Sequence, residues 1–161
     1  MTVKNIKIEN VMRKPHIVKD TATFFDVVSA MISNHTNSII VVDKDGKLAG
    51  EVSVLNLLKE VIPPYISDEN EVMAHFVTED VFHEDIEKVK NVPVSKFMVV
   101  DPPIVTINDT LVEAAIKAIS SERSRVVVVD ALNKPIGVLT RTEIKQVIGK
   151  HLNAEGCFPD Y

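Results

Sequence analysis

The sequence predicts an α/β fold built from two copies of one small unit. SIIVVDKDGKLAGEVSVLNL, at 38–57, and RVVVVDALNKPIGVLTRTEI, at 125–144, share one order of features: a buried strand, a polar turn, a second strand and a hydroxyl residue at a helix start. Asp43, Gly50 and Ser53 recur 87 residues later as an aspartate, a glycine and Thr140. We expect two three-stranded sheets with flanking helices, related by a pseudo-twofold axis, and a helical insert between the repeats.

The first copy is predicted over residues 8–61 and begins with a short helix at about 8–13. The segment HIVKDT follows as a short extended piece, and Thr23 with Asp26 forms a weak capping box before the next helix. Apolar residues recur at helical spacing there, at Phe24, Val27, Val28, Met31 and Ile32. The run IIVVD is too short for a helix and is typical of a strand buried on both faces. Lys44-Asp45-Gly46-Lys47 predicts a hairpin turn, and Pro63 ends the last helix.

Residues 62–93 form an acidic segment between the copies. The spacing of their apolar residues is loosely helical, and Phe76 and Phe82 would be unusual in a flexible linker. We therefore predict one or two amphipathic helices.

The second copy is predicted over 94–150, followed by a tail at 151–161. Phe97-Met98 matches Val11-Met12 of the first copy. Thr110 and Glu113 form a capping box. The helix face behind it lies 87 residues beyond its counterpart, at Leu111, Ala114, Ala115, Ala118 and Ile119.

Composition excludes several classes of protein. At 161 residues and 45% apolar content the chain can form a real core, and no apolar run approaches the roughly 20 residues needed to span a bilayer. The net charge of −5 argues against nucleic-acid binding, and five glycines leave no glycine-rich phosphate loop. The start lacks the apolar core of a secretion signal, and the single Cys157 fits a reducing cytoplasm.

The duplicated pattern resembles the cystathionine-β-synthase (CBS) domain, and two copies resemble a CBS pair, or Bateman module. The family motif G-h-x-S/T-x-x-D is matched by Gly50 to Asn56 and again by Gly137 to Glu143. The resemblance implies a cleft between the repeats that binds AMP, ADP, ATP or S-adenosylmethionine, with no required cofactor. It also implies regulation of an enzyme, transporter or channel, and dimerisation.

The main ligand site is expected at Thr140. Its hydroxyl lies at a helix start, where unpaired N–H groups and the helix dipole favour an anion, and Arg125 and Arg141 can contact phosphate. Glu143 replaces the family's ribose-binding aspartate with a longer arm. By family analogy, the residues that would complete this site are Val18, Thr21, Ala22, Asn37, Ser38, Ser124 and Val138.

A weaker second site is expected at Ser53, Asn56, Asn108 and Asp109. Asn56 carries no charge, and no basic residue lies in the first motif. The opposing interpretation is that Ser53 and Thr140 only cap helices. We favour capping for Ser53 and ligand binding for Thr140.

Other functional interpretations have weaker support. His75, Glu79 and His83 have the spacing of metal ligands, but a solvated acidic helix is favoured, so no metal site is predicted. No catalytic arrangement is evident, so we predict no enzyme activity. The alternative function is a protein-interaction scaffold whose nucleotide site has decayed. We expect a homodimer that covers the apolar faces of the helices after each motif: Leu57, Leu58, Val61, Ile144, Val147 and Ile148.

Overall fold

The computed structural model describes residues 6–62, 78–123 and 125–153. Part of the predicted insert, at 63–77, Ser124 and most of the tail therefore lie outside the described residues. No helix in the described part of the chain is both long and apolar enough to cross a membrane.

The chain folds into two compact units. The first contains the described residues within His16–Lys44 and Ala49–Val100, and the second those within Met1–Pro15, Asp45–Leu48 and Asp101–Tyr161. The units are therefore not contiguous in sequence, and the sequence boundaries of the two repeats stay a prediction.

The first unit contains one three-stranded sheet. Its strands are β1 (Ile17–Lys19), β2 (Ser38–Val42) and β3 (Leu48–Ser53, of which Leu48 falls in the second unit), in the order β1-β2-β3. Its helices are α2 (Phe24–Ser33), α3 (Val54–Val61) and α4 (Glu79–Val89). A short 3-10 turn covers Val94–Lys96.

The second unit contains an equivalent sheet with the order β4-β5-β6. Its strands are β4 (Ile104–Thr106), β5 (Arg125–Val129) and β6 (Pro135–Thr140). Its helices are α1 (Ile8–Val11), α5 (Leu111–Ser120) and α6 (Arg141–His151). The predicted pair of three-stranded sheets with flanking helices is confirmed.

Local chemistry explains the boundaries of the helices. Thr23 and Asp26 close a reciprocal capping box at the start of α2, with bonds of 2.9 and 3.3 Å. Thr110 and Glu113 do the same for α5. Each box satisfies main-chain N–H groups that have no partner inside the helix. The central strands carry the predicted burial, because all five residues of β2 are buried.

The predicted apolar faces behind the motifs are only partly exposed. Leu57 and Val61 lie in the core of the first unit, so the expectation that they need a partner chain is wrong. Val147 packs against the core of the second unit. Leu58 and Ile148 do remain exposed. Leu57 and Val61 are buried because the face of α3 that carries them packs against the core of its own unit.

The described part of the insert is helical, as predicted. In α4, Thr78 caps the first turn, and Ile86 and Val89 pack against the core of the first unit. The helix has no fully buried residue and carries acidic residues in its first turn.

Each sheet gains a short edge segment from outside its own sequence repeat. Arg13, which precedes the first repeat's strands, pairs with Val138 in β6, and Val99 pairs with Glu51 in β3. Ile8 and Val11 of the N-terminal segment lie in the core of the second unit. The segment that the sequence assigned to the first copy thus packs with the second sheet.

Candidate functional site

The Thr140 motif joins the end of β6 to the start of α6. The Thr140 hydroxyl accepts a hydrogen bond from the N–H of Thr142 at 3.1 Å and donates one to Glu143 Oε2. The main-chain N–H of Thr140 also donates to Glu143 Oε2, at 2.8 Å. This capping box holds the hydroxyl and the carboxylate beside each other at a helix start.

Glu143 is one of the few buried charged residues in the described chain. Its second oxygen, Oε1, forms an ion pair with Nε of Arg13. The Glu143 side chain is 6% exposed and the Arg13 side chain 56% exposed. The pair therefore links a buried carboxylate to a cation at the surface.

The backbone of the N-terminal segment positions Arg13. Arg13 and Val138 exchange two main-chain hydrogen bonds, both 2.9 Å long. Met12 packs directly over Gly137, where a Cβ would lie only 2.4 Å from the Met12 sulfur. The absence of a side chain at Gly137 allows this approach.

Arg125 lies beside Thr140 in the same unit. The two residues are register partners in the antiparallel pairing of β5 with β6. Arg125 is half-buried, Val138 on β6 is half-buried, and Arg141 is the exposed first residue of α6. In the second unit, Arg125 therefore lies opposite Thr140, whose hydroxyl contacts Glu143. Ser124 lies outside the described residues, and the role of these residues in ligand binding stays a prediction.

The equivalent motif of the first unit lacks these charges. Asn56 Oδ1 accepts hydrogen bonds from the Ser53 N–H at 2.8 Å and from the Ser53 hydroxyl at 2.9 Å. The carbonyl of Asn37 accepts from Val54 N–H at 3.0 Å, so Asn37 lies against the start of α3. Val99 occupies the edge position that corresponds to Arg13 and brings an apolar side chain.

The remaining predicted ligand residues are distributed over both units. In the first unit, Val18 lies in β1, Thr21 and Ala22 precede the Thr23 cap, and Ser38 is the buried first residue of β2. In the second unit, the exposed Asn108 and half-buried Asp109 precede α5. Asp109 accepts from Thr106 N–H at 2.7 Å, which stabilises this turn.

Both motif hydroxyls form hydrogen bonds at a helix start, so the capping interpretation describes their geometry in each unit. A hydroxyl oxygen that donates one bond and accepts one retains a further lone pair. Capping and ligand contact are therefore compatible at Thr140, and its ligand role stays a prediction.

The candidate metal ligands are not gathered into a site within the described residues. Glu79 and His83 lie 3.9 Å apart on α4, and both side chains are exposed. His75 lies outside the described residues. No group of three potential metal ligands occurs among those described.

Sequence reasoning missed Arg13 and its counterpart Val99. The match of Val11-Met12 with Phe97-Met98, extended by one residue, would have aligned Arg13 with Val99 and shown the difference in charge. No local pattern, however, indicates that Arg13 lies beside Glu143, 130 residues later.

Comparison with known proteins identifies this architecture. A family model described as the CBS domain matches residues 4–63 and 94–150, well over half of the chain. The uncharacterised protein MJ1426 of Methanocaldococcus jannaschii is 27% identical over 157 residues, which cover 88% of this chain and 90% of that protein.

Solved structures share the fold. The structure of CBSX2 from Arabidopsis thaliana in complex with AMP has a TM-score of 0.68 and 23% identity, covering 91% of this chain and 98% of that one. The CBS domain pair of protein MJ0100, in complex with 5-methylthioadenosine and S-adenosyl-L-methionine, has a TM-score of 0.65 and 17% identity, covering 90% and 97%.

Proposed function

Because this chain belongs to the CBS-domain family, we propose that it is a regulatory module that binds an adenosine-containing nucleotide at the Thr140 motif. The bound state would be transmitted to a partner, for which a regulated enzyme or transporter is the class that the family suggests. The ligand acts as a regulator in this proposal, and no catalytic step is assigned to the chain.

The observation that carries the proposal is the grouping of Arg125, Thr140 and Glu143. Arginine side chains suit phosphate oxygens, and a carboxylate accepts hydrogen bonds from ribose hydroxyls. A helix start adds main-chain N–H groups and a favourable dipole for an anion. These features match the chemistry of a nucleotide.

The ligands of the related structures support the choice of adenosyl compounds. CBSX2 was solved with AMP, and the MJ0100 pair with 5-methylthioadenosine and S-adenosyl-L-methionine. For this chain we propose AMP, ADP, ATP and S-adenosylmethionine as the ligands to test. The contribution of Val18, Thr21, Ala22, Asn37, Ser38 and Ser124 stays part of the proposal, as does the weaker site at Ser53 and Asn56 with Asn108 and Asp109.

Thermal unfolding with each ligand tests this function. A ligand present at 100 times its Kd should stabilise the protein by about 2.7 kcal/mol, or roughly 5–10 °C in Tm, because it binds only the folded state. Titration calorimetry should then give one strong site per chain rather than two equal sites, since only the second motif carries charged groups. Inosine monophosphate, which lacks the adenine amino group, is the matched control ligand and should bind more weakly.

No stabilisation by any of the four ligands at millimolar concentration would contradict nucleotide binding. That result would favour the alternative function, an interaction scaffold whose ligand motif serves only as a helix cap. The uncharged Asn56 and the capping bonds of both hydroxyls are the observations that support this alternative.

We also propose that the chain forms a homodimer through exposed apolar helix faces. Large apolar side chains on α5 and α6 remain exposed in the second unit, and Ile119 is 78% exposed. Ile119, Ile144 and Ile148 line a groove of about 550 Å³ together with two alanines and the charged residues Glu122, Arg123, Arg141 and Lys145. Exposed apolar surfaces of this kind mark interaction sites.

A cytoplasmic location stays part of the proposal, on the basis of the single cysteine.

Replacing Ile119 by lysine should weaken the dimer, because the substitution places a charge in an apolar contact. Light scattering should report about twice the chain mass of 17.9 kDa for the wild type and a shift towards the single-chain mass for the variant. Leu132→Lys is the control, because Leu132 is 63% exposed but lies in the turn between β5 and β6. A wild-type protein that is monomeric at working concentration, or equal effects of the two variants, would contradict this interface.

A further inference from the structure

We propose that Arg13 is a specificity-determining residue of the Thr140 site, where it selects adenosyl ligands that carry a phosphate over ligands that carry none. The inference rests on the proposed nucleotide-binding function and adds to it a residue from outside both sequence motifs. It follows from three observations: Arg13 forms an ion pair with Glu143, its side chain is largely exposed, and the other unit has valine at the corresponding position.

The ion pair places Arg13 within the motif itself. Glu143 occupies the position of the family's ribose-binding acid, and its Oε1 contacts Nε of Arg13 while its Oε2 accepts two bonds from Thr140. A buried carboxylate requires such partners, because removal from water is costly for a charge. The two bonds from Thr140 to Oε2 hold the long Glu143 side chain in place without help from Arg13, so the loss of Arg13 should leave the ribose contact largely intact.

The exposed part of Arg13 is suited to an anion. The contact with Glu143 uses Nε, and the side chain remains 56% exposed. A guanidinium carries five N–H donors in a planar fork, so the contact with Glu143 leaves donors for a second partner. Arginine binds phosphate oxygens with two parallel hydrogen bonds where the geometry allows it.

Comparison of the two units shows that the fold does not need a cation at this position. The main-chain exchange of Arg13 with Val138 is repeated by Val99 with Glu51, at 2.8 and 3.0 Å. Met98 also packs over Gly50 as Met12 does over Gly137. The edge segment therefore forms equally with valine. Arg13 lies at the edge of the unit whose motif carries Glu143, and Val99 lies at the edge of the unit whose motif carries Asn56. The positive charge therefore occurs together with the negative charge of the motif, and the packing of the edge segment does not require it.

The lysine next in sequence provides an internal control. Lys14 is exposed and has the same charge as Arg13, but the ion pair with Glu143 is formed by Arg13. A general electrostatic effect of the N-terminal segment would make the two residues equivalent. If Arg13 contacts the phosphate directly, only the replacement of Arg13, and not that of Lys14, should weaken the binding of a phosphate-bearing ligand.

Titration calorimetry with AMP and adenosine on the wild type, Arg13→Gln and Lys14→Gln tests the proposal. We expect Arg13→Gln to weaken AMP binding by about tenfold or more, the loss typical of a charge-assisted contact, and adenosine binding by less than about threefold. Lys14→Gln should change either affinity by less than about twofold. Arg13→Lys keeps the charge without the fork and should give an intermediate loss for AMP.

The outcomes separate this inference from the function on which it rests. If the wild type binds neither AMP nor adenosine, the inference fails, whereas the proposed function fails only if ADP, ATP and S-adenosylmethionine do not bind either. If the wild type binds AMP but Arg13→Gln binds AMP and adenosine as the wild type does, or loses both equally, only the role of Arg13 is overturned. If Arg13→Gln does not fold, Arg13→Lys decides: an AMP affinity equal to that of the wild type contradicts the proposed fork contact.

Discussion

Replacing Ile8 by alanine is expected to lower the free energy of unfolding by about 2–5 kcal/mol. Ile8 is 0% exposed and lies in the core of the second unit with Val126, Val128 and Leu139. The truncation would leave a cavity that the surrounding strands can fill only partly. Urea denaturation followed by circular dichroism measures the change, and a loss of this size is a large share of the stability of an ordinary domain.

Asn10→Ala is the matched control for the Ile8 variant. Asn10 belongs to the same short helix but is exposed, so its replacement should change the stability by no more than about 0.5 kcal/mol. If both variants are equally stable, the N-terminal segment is not part of the core. A loss of stability in Ile8→Ala would show that the N-terminal segment, which also carries Arg13, is anchored in the core of the second unit.

Gly50→Ala should be the second most damaging substitution, with an expected loss of about 1–3 kcal/mol. A Cβ at Gly50 would lie 2.7 Å from the main-chain oxygen of Val99. A main-chain atom cannot rotate away, so the edge pairing between Glu51 and Val99 would have to shift. Thermal unfolding and denaturant titration should both report the loss.

Gly137→Ala is the comparison variant, since it occupies the same position in the other unit. The Cβ that alanine would add at position 137 lies nearest to side-chain atoms of Met12. The sulfur and Cγ of Met12 can move by rotation about side-chain bonds. We expect a smaller loss of stability than for Gly50→Ala. A larger loss at Gly137 would show that Met12 is more tightly held than this explanation assumes.

The sequence predicted the helices and strands well because their signals are local. The capping boxes at Thr23 and Thr110 and the β-branched run in β2 are complete within a few residues of chain. Gly46 has a φ of 78°, as a glycine in the predicted hairpin turn requires. The 87-residue repeat then made each assignment in one copy a check on the other.

The candidate site was predictable in part. The asymmetry between Asn56 and Glu143, and the position of Arg125 near Thr140, follow from the motif and from the pairing of consecutive strands. The exposure of the apolar helix faces was not predictable to the same degree. Helical spacing shows which residues share a face, but it does not show that Leu57 and Val61 pack on their own sheet.

The sequence by itself determined that this chain has two like motifs of unlike chemistry, because each motif is a short run of residues. Only the tertiary structure decided which segment completes each motif. The edge of a sheet accepts any segment that offers main-chain hydrogen bonds and a fitting apolar residue. The long-range packing of Ile8, Val11 and Met12 selects the N-terminal segment for β6, and with it places Arg13 against Glu143.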